Sequence, residues 1–203
     1  MDEPRRPLRE DEAIGDAFYE RPLERTLLYR GRIIDVARYR VRLPDGREAE
    51  REVVHHPGAV AVLAVAEDGG RETIVLVRQY RFPLRRTTLE IPAGKLEPGA
   101  DPLAEARREL AEETGFGAER WRKLGVFFSS PGFADEAMHL YEARGLIPGA
   151  PHPDADEFVR AERLTRDEAW VAVRRGEIVD LKTVLALLWW ERQSGGERGD
   201  PGP

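Results

Sequence analysis

The sequence predicts an α/β protein in which a sheet is covered by helices on both faces. Residues 59–66 (AVAVLAVA) form a near-continuous apolar run, which is typical of a strand buried on both faces. A turn at residues 68–70 (DGG) joins this run to a second strand at 73–80 (TIVLVRQY). Strands mixed with three predicted helices therefore indicate a layered α/β architecture.

The three helices have recognisable ends. A helix is expected over 102–114, because Asp101 suits the N-cap, Pro102 the first turn and Gly115 the C-terminal end. The run 165–168 (TRDE) is a capping box that opens a second helix, and Asp180 caps a third. The third helix has apolar residues on more than one face, so we expect it to be largely buried.

The remaining segments complete the predicted layout. Further strands are expected at 87–92, 121–130, 137–144 and 158–164. Residues 25–55 alternate apolar and arginine-rich positions, with a turn at 44–46, and predict a small antiparallel sheet. So small a sheet needs to pack on the main domain or on a second subunit. We divide the chain into a disordered arm (1–17), an N-terminal strand region (18–56), a main domain (57–195) and a disordered tail (196–203).

Composition excludes several classes of function. The chain has 203 residues, 38 acidic against 32 basic, and a net charge of −6, which argues against nucleic acid or an anionic membrane as the main partner. It has no cysteine, so disulfides and thiol catalysis are excluded. No apolar run is long enough to span a membrane and no secretory signal is visible, so a cytoplasmic protein is expected.

Residues 94–116 combine a glycine-rich turn with an acidic helix. Four carboxylates fall at i, i+4, i+7 and i+8 and share one stripe of the helix surface: Glu105, Glu109, Glu112 and Glu113. Carboxylates this close repel one another, and hard oxygen ligands suit Mg²⁺ or Mn²⁺. The alternative is a solvated acidic surface that neighbouring basic residues partly neutralise.

The same stretch resembles the signature of the Nudix hydrolases, which reads Gly, five residues, Glu, seven residues, then Arg-Glu-apolar-x-Glu-Glu-x-Gly-apolar. Gly94 and residues 108–116 (RELAEETGF) match it in order. One position departs, because Ala100 stands where the signature has its first Glu. Arg108 usually pairs with that Glu in the family. Here three alternatives are open for its partner: Glu97, Asp101 and Glu105.

The resemblance covers most of residues 25–192 and is greatest to the ADP-ribose pyrophosphatases. It rests on residues 90–94 (EIPAG) and on Pro131, about 15 residues beyond Phe116. It implies a Nudix-type α/β/α sandwich with a mixed sheet, and a homodimer formed through the N-terminal strand region. The implied reaction is metal-dependent hydrolysis of the pyrophosphate of ADP-ribose to AMP and ribose 5-phosphate, with Mg²⁺ or possible replacement by Mn²⁺.

The resemblance also assigns roles to single residues. The backbone carbonyl of Ala93 and the carboxylates of Glu109 and Glu113 are expected to ligate metal, with Glu112 assisting directly or through water. The general base is expected on the acidic loop 153–158 (PDADEF), where Glu157 matches best and Asp156 second. A solvated acidic loop is the alternative.

The expected substrate contacts come from other segments. Arg81 matches a phosphate-binding arginine, and Arg51 matches one that reaches the site from the partner subunit. A surface role is the alternative for both. Pro131 and Gly132 favour ADP-ribose as substrate, and Glu136 is expected on the ribose side. The four histidines, at 55, 56, 139 and 152, show no spacing typical of a zinc site and are expected to be structural or exposed.

Two other functions are compatible with the same sequence. One is a Nudix hydrolase for another nucleoside diphosphate derivative, such as a nucleotide sugar. The other is a sensing module that binds ADP-ribose without cleaving it. Modules of that kind generally lose the Arg-Glu and Glu-Glu pairs, and both pairs are intact here at residues 108–109 and 112–113. The sequence therefore favours the enzyme.

Overall fold

The structure is a computed structural model that describes residues 16–152 and 158–194. The chain forms two compact units. The first contains the residues up to Gly58 together with Gly125–Met138, and the second contains Ala59–Leu124 and the residues from His139 onward. The predicted arm and tail, 1–17 and 196–203, lie almost wholly outside the described residues.

The first unit is built on a three-stranded antiparallel sheet. Its strands are β1 (Arg21–Arg30), β2 (Asp35–Arg42) and β3 (Glu48–His55), in the order β1-β2-β3. Gly46, at a φ of 86°, allows the tight turn between β2 and β3, as the sequence predicts. The small N-terminal antiparallel sheet is therefore confirmed.

The loop 129–136 is attached to β3 within this unit. Val54 forms an isolated parallel bridge with Ala134, and its N–H donates to the carbonyl of Phe133 at 2.7 Å. Both carboxylate oxygens of Asp135 are engaged, one by the backbone N–H of His56 at 2.8 Å and the other by Nδ1 of His55 at 2.6 Å. His55 thus has a structural partner, as expected for these histidines.

The second unit contains a seven-stranded sheet and all the described α-helices. Its strands are β4 (Ala59–Asp68), β5 (Arg71–Arg81), β6 (Arg86–Glu90), β7 (Ala93–Lys95), β8 (Phe116–Phe128), β9 (Ala137–Pro148) and β10 (Val159–Leu164). The order is β10-β5-β4-β9-β8, with β6 beside β5 and β7 beside β4. The central strand β4 is the predicted apolar run, and its residues 60–64 are fully buried.

Helix α1 (Pro102–Thr114) covers one face of this sheet. Ala106 and Leu110 are fully buried against Val60, Val62 and Val75 of β4 and β5. This is the apolar helix face that the sequence predicts. The acidic stripe lies on a different side of the helix, so the packing of α1 leaves its carboxylates to be placed by other contacts.

Helices α2 (Arg166–Arg174) and α3 (Leu181–Ser194) pack on the opposite face. Trp190 of α3 is fully buried, and its indole N–H donates to Glu72 of β5 at 2.8 Å. Side chains alternate along a strand, so Glu72 points away from the face that carries Val75. The predicted α/β fold with helices on both faces of the sheet is confirmed.

Two details differ from the sequence expectation. Residues 93–95, interpreted as part of a turn, form the short strand β7, which pairs antiparallel with residues 59–61 of β4. Strands β8 and β9 are also longer than predicted, because β8 begins directly after the C-cap glycine of α1. None of the helices in the described residues is long and apolar enough to cross a bilayer.

Candidate active site

Helix α1 begins and ends where its sequence predicts. The carboxylate of Asp101 accepts a hydrogen bond from the N–H of Ala104 at 3.0 Å, which satisfies one of the free amides of the first turn. Gly115 closes the helix with a φ of 74°, a conformation that glycine adopts without strain. These caps fix the register of the helix and so the direction of its acidic stripe.

Two carboxylates of the stripe lie against the backbone of β7. The N–H of Ala93 donates to Oε2 of Glu113 at 3.0 Å. A β-carbon placed on Gly94 would lie within 2.5 Å of the carboxylate carbon and both oxygens of Glu109. Glu109 and Glu113 are only 8% and 3% exposed. The glycine is therefore required by close approach, and it creates room for a buried carboxylate beside the strand.

Arg108 gathers the remaining carboxylates. Its guanidinium donates to Glu105 at 2.8 Å, to Glu109 at 2.6 Å and to Glu112. The hydrogen bond to Glu105, and then the charges of Glu109 and Glu112, raise the pKa of Arg108 above its ordinary value. Of the three alternative partners considered for Arg108, the structure selects Glu105. Asp101 is occupied as the cap of α1.

The side chains of α1 supply oxygen donors of the kind that divalent cations select. Among residues 16–152 and 158–194, no three acidic, histidine or cysteine side chains converge as a ready-made metal site. The carboxylates of Glu109 and Glu112 turn instead to Arg108, and one guanidinium cannot neutralise three carboxylates. Buried oxygen ligands in excess of their counter-charge are the chemistry that Mg²⁺ and Mn²⁺ select.

Arg81 lies at the end of β5 and belongs to a second cluster of charged side chains, with Glu90 and Lys182. Its Nε and Nη2 donate to the two oxygens of Glu90 at 2.9 and 2.8 Å. Glu90 is 3% exposed, and it also accepts hydrogen bonds from Lys182 and, at 2.6 Å, from the hydroxyl of Thr88. The predicted phosphate-binding arginine is thus held by a buried carboxylate.

The electrostatics of this pair link it to the acidic helix. Burial raises the pKa of Glu90, but the hydrogen bonds from Arg81 and the charge of Lys182 outweigh it and hold that pKa at about 2. Hydrogen bonding to Glu90 raises the pKa of Arg81 most, and the charges of Glu113 and Asp180 raise it further. The charge of Glu113 on α1 therefore contributes, after Glu90, to the raised pKa of Arg81.

The other predicted substrate contacts belong to the first unit. Arg51 of β3 makes a bidentate ion pair with Glu20, at 2.8 and 2.5 Å. Pro131 and Gly132 are exposed in the loop 129–136. Glu136 accepts a hydrogen bond from the hydroxyl of Ser129 at 2.5 Å. Their roles toward a substrate stay predictions.

The predicted bases Glu157 and Asp156 lie outside the described residues. The described chain before them ends at His152, whose N–H donates to the carbonyl of Glu112 at 2.9 Å.

Sequence reasoning missed the partners of Arg81. Two signals for them were present. Glu90 is a charged residue inside a strand pattern that otherwise predicts burial, and buried charges are normally paired. Lys182 sits in the first turn of α3, where a cation is unfavourable unless an anion offsets it. Neither signal identifies the other residue, because the two lie in segments far apart in the chain.

Comparison with known proteins agrees with this geometry. The NUDIX domain family model matches residues 55–187. The chain belongs to the Nudix family. An ADP-ribose pyrophosphatase from Bacillus subtilis (strain 168) is 44% identical to this Nudix chain over 172 residues, which cover 84% of the chain and 91% of that protein.

A further relative and a solved structure are also similar to this chain. A methanol dehydrogenase activator from Bacillus methanolicus is 44% identical over 182 residues, which cover 89% of the chain and 97% of that protein. A solved structure of an ADP compounds hydrolase has a TM-score of 0.74 and 22% identity, and the match covers 87% of this Nudix chain and 96% of that one. At that identity the structural match supports the fold. The family predicted from residues 94–116 is confirmed.

Proposed function

We propose that this chain is a metal-dependent hydrolase that cleaves the pyrophosphate of ADP-ribose to AMP and ribose 5-phosphate. The observation that carries the proposal is the pair of buried carboxylates, Glu109 and Glu113, held against the backbone of Ala93 and Gly94. Two relatives support the substrate, since proteins from Bacillus subtilis and Mycobacterium tuberculosis, 44% and 39% identical over 84% and 79% of the chain, are named ADP-ribose pyrophosphatase.

The metal ligands in this proposal come from β7 and α1. The carbonyl of Ala93 and the carboxylates of Glu109 and Glu113 hold Mg²⁺ or Mn²⁺, and Glu112 contributes directly or through water. A divalent cation, when bound, neutralises charge that develops on the phosphate oxygens. Arg108 reduces the repulsion among Glu105, Glu109 and Glu112, because it bonds all three carboxylates.

The chain's own side chains orient the substrate and move the proton. Arg81 donates to the pyrophosphate, and Arg51 does so from the partner subunit, because the planar guanidinium suits phosphate. Glu157 accepts the proton of the attacking water, with Asp156 as the second candidate. A carboxylate that ligates metal is a weak base, so the base belongs on a different segment from Glu109 and Glu113. Pro131 and Gly132 contribute to the preference for ADP-ribose, and Glu136 to recognition of its ribose side.

The test is a phosphate-release assay over a panel of nucleotides, with a phosphatase to act on the products. ADP-ribose and a set of nucleotide sugars are compared at equal concentration with Mg²⁺, then with Mn²⁺. We expect ADP-ribose to have the highest kcat/KM. Brisk turnover of a nucleotide sugar with no turnover of ADP-ribose would refute ADP-ribose as the substrate, and the assignment to the Nudix family would be unaffected.

A single variant separates the enzyme from a sensing module. Glu113→Gln keeps the shape of the side chain and removes the charge, so we expect kcat to fall by orders of magnitude with the melting temperature nearly unchanged. Glu67→Gln, the same change at an exposed end of β4, is the matched control. A parent chain that binds ADP-ribose but is inactive with every metal tried would establish the sensing module instead.

We also propose a homodimer formed through the sheet β1-β2-β3. In the described residues β1 pairs with β2 alone, and Leu28 and Tyr29 on β1 are 51% and 58% exposed. An open strand edge with apolar side chains favours pairing with another chain. Light scattering after size exclusion is expected to give twice the mass of the chain, and Leu28→Lys is expected to shift it to the monomer. A parent chain that elutes as a monomer would refute this part.

One relative favours a second candidate function. The Bacillus methanolicus protein is as similar to this chain as the pyrophosphatase is, and it is named a methanol dehydrogenase activator. The initial rate of a methanol dehydrogenase with and without the chain tests this function. A rise that Glu113→Gln abolishes would make activation a consequence of the hydrolase site.

A further inference from the structure

Glu90 is saturated by donors of the protein. A carboxylate has about four lone-pair sites, and all four are taken: Oε1 by Nε of Arg81 and the hydroxyl of Thr88, and Oε2 by Nη2 of Arg81 and Nζ of Lys182. This distinguishes Glu90 from the glutamates of α1. It has no free lone pair with which to bind a metal ion or to accept a proton from water.

Arg81 is held on one side only. A guanidinium carries five N–H donors, and two of them go to Glu90. The side chain of Arg81 makes no other hydrogen bond within residues 16–152 and 158–194. Its side chain is 37% exposed, whereas that of Glu90 is 3% exposed. The inner edge of the fork is therefore fixed by a buried group, and the outer edge is available to an anion.

The orientation of Glu90 is set from the other face of the sheet. Lys182 lies in the first turn of α3, is 14% exposed, and also bonds Asp180 at 2.9 Å. Asp180 in turn accepts the N–H of Thr183 at 3.0 Å, and the hydroxyl of Thr183 accepts the N–H of Ile91, the residue after Glu90. The N-terminus of α3 thus fixes both the strand end and the carboxylate.

We propose that Glu90 is a positioning residue for the substrate pyrophosphate, which holds the guanidinium of Arg81 in a fixed orientation while Lys182 fixes Glu90 in turn. This rests on the proposed function, in which Arg81 donates to the pyrophosphate. It assigns to Glu90 and Lys182 a role in substrate affinity. The alternative is a buried ion-pair cluster that contributes to folding alone.

Substrate affinity and folding stability respond differently under the two interpretations. If Glu90 orients Arg81, then removing Glu90 weakens substrate binding by at most the contribution that Arg81 makes to that binding. If the cluster is merely structural, its removal lowers the melting temperature and leaves the KM of the folded fraction unchanged. A double-mutant cycle between Glu90 and Arg81 measures the distinction, because residues that act as a unit give non-additive losses.

The experiment compares wild type, Arg81→Gln, Glu90→Gln and the double variant with saturating Mg²⁺. It measures the kcat and KM for ADP-ribose, and the affinity for α,β-methylene ADP, whose linkage is not hydrolysed, by calorimetry. Each single variant is expected to raise the KM and the dissociation constant of the probe about 10- to 100-fold, since each breaks charged hydrogen bonds. The double variant is expected to be no weaker than Arg81→Gln by more than about threefold.

Two further variants serve as controls for the cycle. Glu67→Gln removes an exposed carboxylate at the far end of β4 from β7, and it is expected to change neither constant. If Glu90→Gln fails to fold because Lys182 and Arg81 are left uncompensated, Glu90→Gln/Lys182→Met removes one charge of each sign and replaces it in the cycle. Unchanged affinity in a folded Glu90 variant, or losses that multiply in the double variant, would overturn the proposal.

The cycle also separates this proposal from the proposed function. If the wild-type chain binds the probe but does not cleave ADP-ribose, the proposed activity fails and the affinities for α,β-methylene ADP still decide the role of Glu90. A wild-type chain that binds neither compound would overturn the positioning role as well.

Discussion

Gly94→Ala is the sharpest perturbation that the structure offers. The new β-carbon would lie within 2.5 Å of all three carboxylate atoms of Glu109. Non-bonded heavy atoms pack at about 3.5–4.0 Å, so the carboxylate must retreat by about 1 Å or more. Gly94 does not use a left-handed backbone conformation, so alanine itself is compatible with β7. The substitution therefore moves a proposed metal ligand without forcing the main chain to move.

The expected cost falls on catalysis. A misplacement of about 1 Å in an active site reduces the rate about 100-fold, so we expect a loss of that size in kcat/KM and a higher Mg²⁺ concentration for half activity. Stability changes little, because the displaced group is the end of a flexible side chain. Replacing glycine where the backbone is compatible also stabilises the folded chain by about 0.4–1 kcal/mol, because alanine lowers the conformational entropy of the unfolded state.

The assay is a Mg²⁺ titration of ADP-ribose turnover beside a thermal melt. Gly117→Ala is the matched control, because the nearest atom to its new β-carbon is 3.9 Å away, an ordinary contact. Undiminished kcat/KM in Gly94→Ala would refute the reasoning about Glu109. A melting temperature that collapses would show that the backbone of β7 yields instead of the side chain.

Three further outcomes are expected. The pKa of Glu90 is about 2 in the folded chain against an ordinary 4.5, so its ionised form contributes about 3 kcal/mol to the free energy of unfolding above about pH 5. This contribution is lost as the pH falls toward 2, and urea melts across that range should show the loss. Glu90→Gln should make the free energy of unfolding depend less on pH over the same range. Asp101→Ala removes the cap of α1 and should cost about 1 kcal/mol in a denaturant melt, with Asp101→Asn nearly neutral as control. Leu110→Ala opens a cavity under α1 and should cost about 2–5 kcal/mol, and a loss below 1 kcal/mol would contradict the packing described for that helix.

Much of the fold is predictable because its signals are local. The caps of α1, the apolar run of β4 and the turn at Gly46 each depend on residues next to one another in sequence. The strand β7 was missed because it has no such local signal. Its three residues, one of them a glycine, have almost no strand propensity of their own, and they form a strand by pairing with Ala59–Ala61.

The candidate site also has a part that local sequence predicts and a part that depends on the fold. Helical periodicity puts Glu105, Glu109, Glu112 and Glu113 on one stripe, and the Nudix resemblance follows from residues 94–116 alone. Periodicity does not say which of them are buried. That depends on the backbone of Ala93 and Gly94, which closely approaches Glu109 and Glu113, whereas Arg108 bonds Glu105, Glu109 and Glu112.

The sequence by itself thus determined the family and the helix α1 that carries the proposed metal ligands, because both depend on spacing along one element. Only the tertiary structure showed that Arg81 is held by Glu90 and that Lys182 holds Glu90. Glu90 and Lys182 are 92 residues apart, and the ion pair forms because the fold removes both from water at the same place. A buried charge needs a partner close in space, and nothing in a linear pattern says where that partner lies.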